Sequence, residues 1–181
     1  MAPIESDDDQ LMARTKAGDQ AAFVELVRKY QVPLLNFFLR MGAHSDEAED
    51  LAQETFLRLY AYRGKYTPVA KFVSFLYVLA RHARADLLRR SKRSTEVGTE
   101  SLDESADPAR PHVASADVRM DVRSALARLS EKLRAVVVLG VYQGLEYRDV
   151  AKILEIPVGT VKSRMHLAMR QLKEDLDVGE R

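Results

Sequence analysis

The sequence predicts an all-α chain of two small helical domains joined by a flexible acidic linker, the second containing a helix-turn-helix. Three observations carry that prediction. Apolar residues recur at three- and four-residue spacing through most of the chain, and no alternating β-branched run bounded by turns appears. Ser94–Pro111 carries Ser, Thr, Gly, Pro and the acids Glu96, Glu100, Asp103, Glu104 and Asp107, with Val97 and Leu102 its only large apolar residues. Such a segment cannot bury enough surface to offset its ordering entropy. Beyond it, Tyr147–His166 reads as a short helix, a tight turn and a second helix. The division is therefore 1–93, a linker over 94–115, and 116–181. At 181 residues, 46% of them hydrophobic, the chain suffices for one full domain or two small ones.

In the first part, Ser6 or Asp7 caps a short helix that ends at Gly18. Asp19 caps the second helix, whose apolar stripe is Phe23, Leu26, Val27, Tyr30, Leu34, Phe37 and Phe38. Pro33 is expected to kink it, because its ring removes a backbone donor and clashes one turn back, and Gly42 ends it. Ser45, followed three residues on by Ala48 rather than Glu, is expected to be a plain N-cap for a third helix through about Arg63, with Leu51, Phe56 and Leu59 inward. A loop, Gly64–Pro68, precedes a fourth helix from about Val69 to Arg90 with a buried stripe of Phe72, Phe75, Leu76, Leu79, Ala83 and Leu87.

In the second part a helix ends near Leu129, and Ser130 caps the next, which Gly144 stops. The segment Glu146–Leu154, a break at Glu155–Pro157 and a last helix to about Leu176 follow. Val150, Leu154, Ile156, Val161 and Met165 can face inward, Ala151 sits where the two helices cross, and Pro157 suits a first helical turn. Thr160, Lys162, Ser163, Arg164, His166 and Arg170 are left for a partner; such groups can contact phosphates and base edges in a major groove.

The net charge of +1, from 28 basic and 27 acidic residues, hides a sorting into blocks. Ser45–Thr55 holds Asp46, Glu47, Glu49, Asp50 and Glu54 and no base, whereas Arg81–Arg93 holds Arg81, Arg84, Arg89, Arg90, Lys92 and Arg93 against Asp86. Ile156–Lys173 has bases and no acid. Two kinds of partner are implied. The absence of Cys removes thiolate metal sites, cysteine nucleophiles and disulfides. His44, His82, His112 and His166 lack metal-ligand spacing, and no HExxH, GKS or GKT, Gly-rich nucleotide loop or GxSxG occurs. Neither catalysis, a metal nor a cofactor is expected. The acidic start, with Glu5, Asp7, Asp8 and Asp9, has the wrong charge for a secretory signal. The apolar runs Phe72–Ala80 and Ala135–Tyr142 fall short of the ~20 residues that span a bilayer. A soluble, cytoplasmic protein without membrane insertion is expected.

Three motifs together carry a family resemblance. Leu129-Ser130-Glu131 through Gly159-Thr160-Val161-Lys162-Ser163-Arg164 resembles the promoter-reading fourth domain of extracytoplasmic-function (ECF) sigma factors, members of the sigma-70 family. Glu47-Ala48-Glu49-Asp50-Leu51-Ala52-Gln53-Glu54-Thr55-Phe56 resembles the segment of their second domain that docks on RNA polymerase, and Phe72–Arg90, with Phe75-Leu76-Tyr77 and Ala80-Arg81, the helix that opens and reads the downstream promoter element.

The resemblance implies a transcription initiation factor, inactive alone, that binds the clamp and flap regions of core RNA polymerase and directs it to promoter DNA at minus-10 and minus-35 elements. It implies core binding by Asp46, Asp50, Gln53 and Glu54, which share one helical face at three- and four-residue spacing. Minus-10 contacts are implied for Lys65, Tyr77, Arg81, His82, Arg84, Asp86, Arg89 and Arg90, with the Gly64–Pro68 loop helping to hold an extruded base. Minus-35 contacts are implied for Arg148, Thr160, Lys162, Ser163, Arg164, His166 and Arg170. The acidic linker would thread into the polymerase channel. Many relatives are held by an anti-sigma factor, and the sequence leaves open whether this chain has one.

Some positions depart from the family pattern. His82 and Asp86 stand where relatives often have Asn or other polar residues, so the base preference does not transfer. Phe75 replaces a frequent Trp, and Leu167 and Met169 occupy frequent Arg positions. Glu155 replaces a turn Gly, which is expected to reshape the turn. The competing reading is a dimeric helix-turn-helix regulator that acts without polymerase; it leaves the acidic and aromatic-basic helices of the first part unassigned.

Overall fold

The computed structural model of the chain describes residues 6–68, 70–96 and 116–179. All regular structure among them is helical: α1 (Asp7–Lys16), α2 (Gln20–Arg40), α3 (Ser45–Tyr62), a 3-10 turn (Arg63–Lys65), α4 (Phe72–Glu96), α5 (Ala116–Arg128), α6 (Glu131–Val137) continuing into a π turn (Val138–Tyr142), α7 (Tyr147–Leu154) and α8 (Val158–Gly179). The predicted linker lies outside the described residues except at 94–96, which form the end of α4.

Local chemistry sets the helix ends. Ser6 caps α1 in a capping box: its Oγ accepts from the Asp9 N–H, and the Asp9 carboxylate accepts from the Ser6 N–H. Asp19 caps α2 by accepting from the N–H groups of Ala21 and Ala22. The α2 helix passes through Pro33 and stops where Gly42 turns left-handed, φ +98°. One cap shifts by a residue from expectation. His44 is the capping residue of α3 and Ser45 its first helical residue, which puts Glu47, not Ala48, at the third position; its Oε2 accepts from the His44 N–H at 3.3 Å.

The first domain packs α1 on α2, α2 on α3 and α3 on α4, around Met12, Leu26, Leu34, Phe38, Leu59, Phe72 and Leu76, each 1% exposed or less. Burying each of these large side chains stabilises the fold by roughly 1.5–3 kcal/mol. In the second, α6, α7 and α8 enclose Val136, Val138, Val150, Ile153, Val161 and Ala168. The π turn departs from the uniform helix read in the sequence. Its wider winding, with the Gln143 N–H reaching the Val138 carbonyl at 3.0 Å, buries Leu139 and turns Val141 out to 55% exposure.

The two domains share a continuous apolar cluster, with α7 lying on α4 and the π turn on α2. Arg134 ties them at one end. Its guanidinium donates to the carbonyls of Leu126, Ala127 and Leu129 at the end of α5 and to the Met41 carbonyl at the end of α2, at 2.7 to 3.2 Å. A Cβ at Gly42 would stand 2.8 Å from Arg134 Nη1, so the end of that side chain would have to yield, while the left-handed backbone itself favours glycine there.

Candidate nucleic-acid interface

The acidic face of α3 stands open. Asp46, Asp50 and Gln53 are exposed, and Glu54, half-buried, accepts from Arg58 Nε at 2.7 Å. One turn beyond Gln53 and Glu54 is Leu57, 65% exposed, which the sequence reading did not single out. Its spacing of four from Gln53 and three from Glu54 was the available signal. A large apolar side chain amid hydrogen-bonding groups is the composition of a protein-binding patch.

The α8 helix presents the opposite charge. Lys162, Ser163, His166 and Arg170 are exposed, and Thr160 and Arg164 are half-buried at its start. Arg148 is exposed at the first turn of α7. None of the five cations or imidazoles here, Arg148, Lys162, Arg164, His166 and Arg170, meets a carboxylate among the described residues. The turn before α8 keeps the geometry a glycine would give: Glu155 itself adopts φ 56°, ψ 45°, so the substitution strains the turn without reshaping it. Behind it, Ala151 is 7% exposed at the helix crossing, and Ile153 is fully buried, an inward position the sequence reading left out.

The α4 helix is arranged differently, because α7 covers it. Tyr77 is 1% exposed, its ring 5.2 Å from that of Phe37 and its hydroxyl donating to Gln143 Oε1 at 2.5 Å. Burial pushes its phenol above the ordinary value. Arg81 pairs with Glu155 at 2.5 Å, and His82 Nε2 lies 4.0 Å from the same carboxylate. Arg84 pairs with Glu131 and donates to the Met41 carbonyl at 3.1 Å. Lys71, absent from the sequence reading, lies 2.6 Å from Glu146 and 3.1 Å from Asp149, which together raise its pKa, Glu146 first. Every carboxylate in this set belongs to the second domain. Asp86 instead accepts from Arg58 and Arg89 of the first, and Lys65 and Arg90 are exposed.

Where the 3-10 turn meets α4, a recess of about 210 Å³ is lined by Tyr62, Tyr66, Thr67, Phe75 and Ser74, with Lys152 of α7 also on its wall. Ser74 Oγ is buried there and has no hydrogen-bond partner among the described residues. Aromatic walls and a spare hydroxyl suit a flat, hydrogen-bonding guest such as an unstacked base. No group of acidic or His side chains among the described residues could hold a metal, and no described helix is long and apolar enough to cross a membrane.

An all-helical pair of domains with a carboxylate-rich face, an aromatic-basic helix and a helix-turn-helix defines a DNA-binding protein that works with a protein partner. Residues 26–94 match the model described as Sigma-70 region 2, and residues 119–172 the one described as Sigma-70, region 4. The RNA polymerase sigma-H factor of Pseudomonas aeruginosa is 31% identical over 93% of each chain. The ECF RNA polymerase sigma factor SigW of Bacillus subtilis is 34% identical over 90% of this chain and 93% of its own length. The chain belongs to the sigma-70 family of RNA polymerase sigma factors, in its ECF group, and its function is transcription initiation.

Among solved structures, the sigma factor RpoE in complex with the anti-sigma factor NepR from Bartonella quintana is 26% identical, with a TM-score of 0.70 over 86% of this chain and 97% of that one. CnrH, solved with the cytosolic domain of CnrY, shares the fold at a TM-score of 0.75 over 96% of this chain and 99% of that one, at 24% identity. Relatives that match through both domains overturn the reading as a dimeric regulator independent of polymerase, because that reading needs only the second domain.

Proposed function

We propose that residues 1–93 form the domain that binds core polymerase and the minus-10 element, and residues 116–181 the domain that reads the minus-35 element, with 94–115 connecting them through the polymerase channel. Asp46, Asp50, Gln53 and Glu54, with Leu57 one turn beyond them, dock on the polymerase clamp. Lys162, Arg164, Arg170 and their neighbours enter the upstream major groove, and the second domain also meets the flap. The single observation that carries this reading is the pair of unpaired charged faces: the cations at the start of α8 meet no carboxylate, and Asp46 and Asp50 on α3 meet no cation, among the described residues. One suits DNA and the other a basic protein surface.

Minus-10 recognition falls to α4 and the recess before it. Arg81, His82, Arg84, Arg89 and Arg90 take phosphates and base edges, Lys65 reaches from the 3-10 turn, and the recess receives the extruded base. Tyr77 and Asp86 belong to the same helix and shape that face. The acids now on Lys71, Arg81 and Arg84 occupy the positions phosphates would take, so the domains part before the downstream element binds. The protein acts in the cytoplasm without catalytic chemistry or cofactor of its own. The relative RpoE, solved with an anti-sigma factor, supports such a protein as a further partner.

The test is transcription reconstituted from this protein and sigma-free core polymerase on genomic fragments, with start sites mapped. Discrete starts preceded by two shared motifs, and seen only with both components, are expected. Losing one good base-edge contact costs about 1–3 kcal/mol, so Arg164→Ala should weaken upstream promoter affinity roughly tenfold while leaving core binding intact. Asp50→Ala should do the reverse. Unchanged promoter affinity in Arg164→Ala would displace α8 from the groove.

A further inference from the structure

Helix α1 lies outside both matched regions, and neither polymerase binding nor promoter reading has been given to it. It carries two neighbouring carboxylates with different targets. Asp8, 7% exposed, accepts from Tyr30 Oη and Lys29 Nζ, each at 2.6 Å, and both belong to α2. Asp9, 5% exposed, divides its oxygens: Oδ2 accepts from the Ser6 N–H at 3.0 Å and Oγ at 2.7 Å, and Oδ1 accepts from the Tyr66 hydroxyl. A second link joins the same two places, since Lys16 Nζ donates to the Tyr66 carbonyl at 3.4 Å.

Tyr66 follows the 3-10 turn, inside the loop at 64–68, and is 6% exposed. Its ring packs against Phe72 and Phe75, at 6.2 and 5.5 Å between centroids, and forms one wall of the aromatic recess. Burial, and next the bond to Asp9, push its phenol above the ordinary value, so it stays a protonated donor at neutral pH. The loop is thus held at both its side chain and its backbone by a helix that contributes nothing else to the recess.

We infer that Asp9 is a positioning residue for promoter opening: through Tyr66 it fixes the wall of the recess before DNA arrives, which makes α1 part of the melting apparatus. This rests on the reading of the recess as the place that receives the extruded base. The physical reason is preorganisation. A loop already held in its bound shape loses little conformational freedom on capturing a base, whereas a loose one must be ordered at the moment of capture. Asp8 supplies an internal control, being on the same helix, equally buried and bonded to a tyrosine, yet pointed at α2 instead of the loop.

The experiment uses holoenzyme assembled from core polymerase and the full chain, and follows strand opening by permanganate reactivity of unpaired thymines. It compares Tyr66→Phe and Asp9→Ala with Tyr30→Phe, and melting temperatures are recorded for all three. A hydrogen bond withdrawn from a buried carboxylate corresponds to about a tenfold effect, so Tyr66→Phe and Asp9→Ala should open duplex promoter roughly tenfold more slowly. On a template already mismatched over the minus-10 element the deficit should largely vanish, and Asp9→Asn, which keeps an acceptor, should recover part of the rate. Tyr30→Phe should open at the normal rate even if its melting temperature falls as far. Slowing in Tyr30→Phe that matches the others at equal loss of stability, or normal opening in Tyr66→Phe and Asp9→Ala, would overturn the inference.

Tyr62→Ala separates the two levels, because it alters the recess without touching α1. Normal opening in Tyr62→Ala would remove the recess as the base site, and the inference with it. Slow opening in Tyr62→Ala beside normal opening in Tyr66→Phe and Asp9→Ala would remove only the part given to α1.

Discussion

Asp86 is the carboxylate on which α3 and α4 meet. It accepts from Arg58 Nη1 at 2.8 Å and from Arg89, and so ties α4 to α3. Those guanidiniums, Arg58's first, hold its carboxyl below the ordinary carboxylate value. A group depressed in the folded state contributes stability that is fully present above its unfolded value, about 4, and is lost as pH falls through the lower folded value. The melting temperature of the protein should therefore drop as pH is lowered below about 4, and Asp86→Asn should flatten that part of the curve. An acid limb in Asp86→Asn identical to that of the parent would show that other carboxylates carry it.

Among the elements, the turn between α7 and α8 makes the most testable trade. A non-Gly residue in the left-handed region costs roughly 1–2 kcal/mol. Glu155 sits there and recovers part of that through Arg81, a partly exposed pair of the kind worth about 0–1 kcal/mol. Glu155→Ala keeps the strain and loses the pair; Glu155→Gly loses both. Glu155→Gly should therefore be more stable than Glu155→Ala by about 1 kcal/mol in urea denaturation, and equal stabilities would mean the backbone relaxes around alanine. Helix ends of this sort were legible in the sequence because their causes are local: Ser6 and Asp19 act through their side chains on neighbouring N–H groups, and Gly18, Gly42 and Gly144 through their own backbones. The π turn was not legible, since nothing in Val138–Tyr142 distinguishes it from an α-helical run; only packing against α2 and α7 does. The face of α8 could be read from its own spacing, whereas the setting of Tyr77 could not. That side chain is buried by Phe37, forty residues earlier, and Gln143, sixty-six residues later.

At the scale of the whole molecule, ion pairs hold the domains together: Lys71 with Glu146 and Asp149, Arg81 with Glu155, and Arg84 with Glu131. The chain has no cysteine, so a pair introduced as Lys71→Cys and Glu146→Cys, at positions that are both exposed, can be joined by a cleavable bismaleimide without side reactions. The joined protein should fail to open promoters in the reconstituted assay and recover on cleavage of the linker. Full activity in the joined state would mean that the downstream element is read without the domains parting.

Those same pairs bear on the ionic-strength dependence of promoter binding. Each cation that docks on a bare phosphate displaces condensed counterions from DNA, which normally makes the logarithm of affinity fall steeply with the logarithm of salt concentration. The cations of α8 are free to act in that way. On the proposed reading Lys71, Arg81 and Arg84 are not, because each surrenders a carboxylate when it takes a phosphate, and Glu146, Glu155 and Glu131 then gather potassium from solution as DNA gives it up. Binding to the downstream element is thus partly an exchange of one anion for another, and its salt slope is shallower than a count of lysines and arginines on the interface would give.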